Sequence, residues 1–134
     1  MDNATVNELE RHWEDGWNAR DLATIMAPYA EDVVFSSPFV SRMTGDPAQT
    51  TITGYHALQS YVADALERAG HVRYRIDNTF VGTDTLILVY TCGDPNGPAR
   101  TGSDLMRVNS DNKIVEWRSH YSFSPDDAPE LVRD

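Results

Sequence analysis

The sequence predicts an α+β domain with its helices gathered early in the chain and its long strands late. Two observations carry this prediction. Apolar residues recur at helical spacing in stretches that all end by residue 70, and from His71 onward they follow a two-residue alternation broken by Gly, Pro, Asn and Asp clusters at hairpin spacing. The order that results is helix, helix, strand, helix, then four long antiparallel strands. Such a sheet, bent around its helices, encloses a conical cavity.

Each element has its own reason. Val6, Leu9, Trp13 and Trp17 form one stripe among Glu8, Glu10, Arg11 and Glu14, which predicts an amphipathic helix over about 5–19. Asp21 offers a fresh N-cap for a short helix that turns Leu22, Ile25 and Met26 inward and stops near Pro28, leaving Tyr29 to pack beneath the next element. Val33–Ser37 reads as a short strand. Pro38, Gly45 and Pro47 break up the following segment, which is expected to be a loop over a pocket mouth. A third helix starts near Gly54, aligns Leu58, Tyr61, Val62, Ala65, Leu66 and Ala69, and ends at Gly70.

The four strands follow. His71–Val81 alternates Val72, Tyr74 and Ile76 against Arg73, Arg75 and Asp77, and the two arginines are expected to pair with surface acids. Thr85–Cys92 is apolar on both faces, and Asp94–Pro98 turns the chain into the stretch Gly102–Val108. Asn109–Lys113 is a hairpin turn into Ile114–Phe123, where Val115, Trp117, Ser119, Tyr121 and Phe123 face one way and Glu116, Arg118, His120 and Ser122 the other. Residues 1–123 are expected to make the single domain, and 124–134, rich in Pro and Asp, a polar, draped tail.

The sharpest chemical clue is Asp104. On a strand it shares a face with Met106 and Val108, so a carboxyl group is carried into apolar space beside the Trp117, Ser119 and Tyr121 face. A buried acid must be paired, hydrogen-bonded or protonated, and desolvation raises its pKa. The functional reading is a proton donor, and the structural one a hydrogen-bonded strut to Tyr29, Trp13 or a backbone amide. Trp13, Trp17, Tyr29, Phe35, Trp117 and Tyr121, with Tyr55 and Tyr61 of the third helix, are candidates to wall an apolar pocket for a small hydrophobic molecule.

Composition narrows the classes. With 134 residues, one domain is expected. The formal charge of −10, from 21 acidic and 11 basic residues, argues against nucleic acid or an anionic membrane as partner. Cys92 is the only cysteine, and no apolar leader or bilayer-length stretch is present, so a soluble cytoplasmic protein is expected. His12, His56, His71 and His120 have no ligand spacing, so no metal and no cofactor is expected. His120, beside Glu116 and Arg118 on the outer face, is placed at an intersubunit contact.

Several segments together resemble the nuclear transport factor 2 superfamily, and within it the SnoaL-like branch. They are Trp17-Asn18-Ala19-Arg20-Asp21-Leu22, Tyr29-Ala30-Glu31-Asp32-Val33-Val34-Phe35, Gly54-Tyr55-His56-Ala57-Leu58, Asp104-Leu105-Met106-Arg107-Val108 and Lys113-Ile114-Val115-Glu116-Trp117. The resemblance spans nearly the whole chain. It implies a cone-shaped, cystatin-like α+β barrel of a curved antiparallel sheet around three helices, often dimeric through the outer sheet face.

It also implies a search for the ketosteroid isomerase pattern. Asp104 falls on that pattern's protonated oxyanion-hole acid and Tyr29 on a tyrosine of its hydrogen-bond network, which makes these two the catalytic candidates. The general-base aspartate falls at Ser37 and the oxyanion tyrosine near Trp13. In SnoaL-type cyclases an acid follows Lys-Ile-Val-Glu, where this chain has Trp117, Arg118 and Ser119. The resemblance therefore implies a cofactor-independent isomerase, cyclase or lyase that moves protons on a small hydrophobic carbonyl compound. Its alternative is a non-catalytic dimeric pocket or subunit-pairing module. Ser37, Met106 and Ser119 complete the expected pocket set.

Overall fold

The computed structural model describes all residues, Met1–Asp134. Helix α1 (Asn3–Ala19) is capped by Asp2, whose carboxylate accepts from the Thr5 N–H at 2.8 Å, and it ends where Arg20 turns left-handed. Helix α2 (Leu22–Met26) is capped by Asp21 as the sequence predicts, through the N–H groups of Ala23 and Thr24. Gly16 lets the two helices close up, because a Cβ there would lie 2.9 Å from the Ile25 side chain.

Strand β1 (Tyr29–Ser36) is longer than the expected 33–37. The Pro38–Pro47 segment is not simply a loop: it holds a one-turn helix, α3 (Val40–Thr44), which Gly45 ends at φ 76°. A short strand, β2 (Thr51–Thr53), pairs with β1 and has too little pattern to read from sequence. Helix α4 (Tyr55–Ala69) then precedes β3 (Arg73–Val81), β4 (Thr85–Gly93), β5 (Arg100–Val108) and β6 (Ile114–Tyr121).

The six strands form one sheet in the order β2-β1-β6-β5-β4-β3, whose edges β2 and β3 do not close on each other. The last four strands are antiparallel neighbours, whereas β1 joins β6 in parallel. Register shifts interrupt the β1–β6, β3–β4 and β5–β6 ladders, and such bulges bend and twist a sheet around what it covers.

The β5–β6 shift also corrects the inner face of β6. Val108 pairs with Ile114 and Arg107 with Glu116, so Val115 is the extra residue, and Ile114 takes the buried place expected for Val115. The exposed edge of β3 is partly satisfied by α1. Asn18 accepts from the Tyr74 N–H and donates to its carbonyl, and Glu14 accepts from the Ile76 N–H.

The 124–134 segment is anchored rather than merely draped. It makes two short 3₁₀ turns, Pro125–Asp127 and Pro129–Leu131, and buries Ala128, Leu131 and Val132. Arg42 donates to the carbonyls of Pro125 and Val132, His71 Nε2 lies 2.7 Å from the Glu130 carbonyl, and Arg100 pairs with Glu130 at 2.9 Å. No helix is long and apolar enough to cross a membrane.

Candidate functional site

Between α1, α4 and the concave face of the sheet lies a partly open hollow of about 90 Å³, with Asp104 in its wall. The hairpin places Asp104 opposite Ser119 on β6, and the next strand places it opposite Leu88 on β4, so its side chain projects inward and is only 2 % exposed. Three neutral donors converge on it. Oδ2 accepts from the Trp13 and Trp117 indole N–H groups, each at 2.9 Å, and Oδ1 accepts from the Tyr90 hydroxyl at 3.0 Å.

Burial pushes the Asp104 carboxyl above the usual carboxylate range. Hydrogen bonds from Trp117, Tyr90 and Trp13, together with the Ser119 hydroxyl close by, oppose that rise without cancelling it. The wall contains no lysine, arginine or histidine to neutralise a charge there. Burial raises the tyrosines of the wall too: Tyr61, Tyr74, Tyr90 and Tyr121 all hold their protons more tightly than in water. The Cys92 thiol is pushed up to about 12, by burial first and then by the nearby Asp104 charge. Asp104 is thus the one carboxyl group of the hollow, and the phenols and the thiol around it hold their protons more tightly than in water.

Of the residues singled out in the sequence, Trp13, Trp17, Phe35, Ser37, Tyr61, Trp117, Ser119 and Tyr121 line the hollow with Asp104. Three do not. Met106 is buried in the core, paired with Trp117 and Leu86 across the strands. Tyr55, the first residue of α4, lies outside the wall. Tyr29 makes no hydrogen bond to Asp104. Its ring stacks on Trp117 with centroids 5.1 Å apart, so it steadies the indole rather than the acid. Ser37 Oγ accepts from the Phe39 N–H at 3.1 Å, a local turn bond, where the isomerase pattern has its base.

The sequence reading missed Tyr90, the third donor, together with Cys92, Tyr74, Phe39, Met43, Leu131 and Val132. Tyr90 lay in a strand apolar on both faces, where no alternation marks the inner side. Its neighbour Gly102 was the available signal. A Cβ on Gly102 would lie 2.7 Å from the Tyr90 ring, so this glycine makes the room in which that ring lies flat and reaches Asp104.

The rings pack in continuous contact. Phe35 and Trp117 centroids are 4.2 Å apart, Trp13 and Tyr90 4.6 Å, Trp13 and Tyr74 5.3 Å, and Trp17 and Trp117 6.4 Å. Outside the hollow, no three His, Cys, Asp or Glu side chains converge to hold a metal ion. Arg75 pairs with Asp77 at 2.8 Å, whereas Arg73 caps backbone carbonyls of Gly70 and Val72 instead of meeting an acid.

A bent, unclosed sheet wrapped on helices around an aromatic hollow with one acid defines a cone-shaped pocket fold. The chain belongs to the SnoaL-like domain family, whose model matches residues 9–117. Among solved structures it is similar to a SnoaL-like protein of unknown function from Burkholderia thailandensis, at 24% identity over 92% of this chain and 98% of that one, with a TM-score of 0.80. It is also similar to an NTF2-like protein of unknown function from Mesorhizobium loti, at 22% identity over 92% and 97%, TM-score 0.70. A third likeness is a protein with a ketosteroid isomerase-like fold from Catenulispora acidiphila, in complex with trimethylamine, at 17% identity over 87% and 86%, TM-score 0.66. These likenesses define the fold. No curated protein matches the sequence.

Proposed function

We propose that the hollow takes a compact, largely apolar molecule and that Asp104 exchanges a proton with the polar group of that molecule, as a cofactor-independent isomerase, cyclase or lyase acting on a small carbonyl compound would. The observation that carries this reading is a carboxyl group with raised proton affinity in the wall of an aromatic hollow that holds no counter-charge. Protonated Asp104 would donate to a ligand oxygen. The carboxylate left behind would be held by the Trp13 and Trp117 indoles and the Tyr90 hydroxyl, which disperses the charge without a metal or a cation.

The volume of about 90 Å³ limits the ligand to a few heavy atoms, since a cavity of about 150 Å³ is what benzene occupies. A four-ring steroid is far larger than this volume. The trimethylamine held by the Catenulispora acidiphila protein is a ligand of that compact size. Incubation with small ketones in D₂O tests the reading: with Asp104 protonating the carbonyl oxygen and a solvent water in the open hollow taking the α-proton, wild-type protein should catalyse deuterium exchange next to the carbonyl and Asp104→Asn should lose it. Equal exchange in both proteins would remove Asp104 from the chemistry.

A second reading, binding without turnover, has one observation in its favour. Ser37 carries no ionisable proton where a general base would sit, so the hollow has a single working acid. Ligand-induced rises in melting temperature with no exchange would select it.

The same proposal covers the surroundings. At a net charge of −10 the partners are a small molecule and a second copy of this chain rather than nucleic acid or an anionic membrane, and the lone Cys92 suits the reducing cytoplasm. The second copy would lie on the outer sheet face, where Phe80, 55 % exposed, pairs across the strands with Ile87 and Ile87 with Leu105. Light scattering should report a dimer that Phe80→Asp dissociates; a wild-type monomer would refute the pairing.

A further inference from the structure

We infer that the ligand of the hollow is a small methylated ammonium ion, caged by the aromatic rings and balanced by the Asp104 carboxylate. This rests on the second reading above, binding in the hollow without turnover, and names its ligand class. The electrostatics of the wall have one sign. Aromatic ring faces carry negative charge density, and Trp13, Trp17, Phe35, Tyr74, Tyr90 and Trp117 supply six such rings around a single acid. No basic side chain lines the hollow, and the donors that hold Asp104 are all neutral. A carboxylate removed from water without a partner of opposite charge attracts a cation far more strongly than an exposed one does.

The same wall sets the degree of methylation. A primary ammonium brings three N–H donors that need acceptors. Here Ser37 Oγ is engaged by the Phe39 N–H and Asp104 already accepts three hydrogen bonds, from Trp13, Trp117 and Tyr90, which leaves one acceptor site on Oδ1 and the hydroxyls of Ser119 and the wall tyrosines. Methyl groups ask for no acceptor and pack on ring faces, so a quaternary ammonium brings no donor to be satisfied and a tertiary one brings a single N–H. The volume of about 90 Å³ keeps the ion compact.

Calorimetric titration of the intact protein with tetramethylammonium and with tert-butyl alcohol, a neutral molecule of the same tetrahedral shape, tests this at matched ionic strength. Saturable binding of the ion is expected, with the alcohol at least tenfold weaker. Asp104→Asn should weaken the ion at least tenfold, and Glu116→Gln on the outer face should leave it unchanged. Trp17→Leu, which removes a ring that makes no hydrogen bond to Asp104, should weaken the ion several-fold and not the alcohol, so the inference stays testable if Asp104→Asn fails to fold. Equal affinities for ion and alcohol, or full affinity in both Asp104→Asn and Trp17→Leu, overturn it. Binding of the alcohol alone overturns it while leaving the pocket reading intact. Failure of both probes and of every small ketone, with Ala65→Trp in the wall changing nothing, overturns both.

Discussion

Asp104 and Glu116 are carboxylates on adjacent strands of one hairpin, a few residues apart in the ladder, and they respond oppositely to the fold. Asp104 is inside, held by the Trp13, Trp117 and Tyr90 donors, and its pKa rises. Glu116 is outside, held by Arg107 at 3.2 Å and Arg118 at 2.9 Å, and its pKa falls, because hydrogen bonds from the two arginines outweigh a small desolvation. Both acids are well supplied with hydrogen bonds. What separates them is water and counter-charge: the inner face removes the first and withholds the second, whereas the outer face provides both. One residue of strand alternation therefore decides between a solvated ion pair and a buried acid of raised pKa.

Substitutions that exchange or erase this contrast sharpen it. The largest effect belongs to Asp104→Leu, which leaves two indole N–H groups and a phenol without their acceptor. At roughly 1–3 kcal/mol for each orphaned donor, urea denaturation should show a loss of about 3 kcal/mol or more. Asp104→Asn should be much milder. The amide oxygen can accept from both indoles while its NH₂ faces the Tyr90 oxygen, as the protonated acid would.

Gly102→Ala comes next. Its methyl collides with the Tyr90 ring, so the Tyr90–Asp104 bond should break at a cost of about 1–3 kcal/mol, visible as altered near-ultraviolet circular dichroism. Trp13→Phe, which keeps a ring and loses one donor to the acid, should cost about 1–2 kcal/mol. Glu116→Gln should cost less than about 1 kcal/mol, and added salt should shrink even that.

The pH dependences should run in opposite directions. The folded-state pKa of Asp104 lies above its unfolded value of about 3.9, so its stabilising contribution is complete below that value and is lost as pH rises through the raised pKa. Glu116 is depressed, so its contribution is present above its unfolded value of about 4.3 and is lost as pH falls through the lowered one. The stability difference, wild type minus variant, should fall with rising pH for Asp104→Asn and rise for Glu116→Gln. Tyr29, Tyr74, Tyr90, Tyr121 and Cys92 around Asp104 are all raised and stay uncharged through this window.

The contrast was partly legible in the sequence. An imperfect alternation in Gly102–Val108 and a clearer one in Ile114–Phe123 put Asp104 inside and Glu116 outside, and the hairpin turn puts Asp104 beside the tryptophan face. The bulge at Val115 was not legible, because an extra residue leaves the composition of a strand unchanged and alters only its register. Tyr90 escaped because apolar residues fill both faces of β4, and only the pairing with Gly102 tells which side points inward. Phe39, Met43, Leu131 and Val132 escaped because one turn of helix and an eleven-residue tail are too short to show a period. Their burial is decided by long-range bonds such as those from Arg42 to the tail.

Titration of the two side-chain carboxyl carbons by ¹³C NMR in one sample compares the inner and outer acids most directly. Asp104 should titrate above 3.8 and Glu116 below 4.5, with Asp104 moving higher still when Trp117→Phe removes a donor. An Asp104 carboxyl that titrates at or below 3.8, with no response to Trp117→Phe, would mean that water reaches it, and the account of the hollow would be wrong.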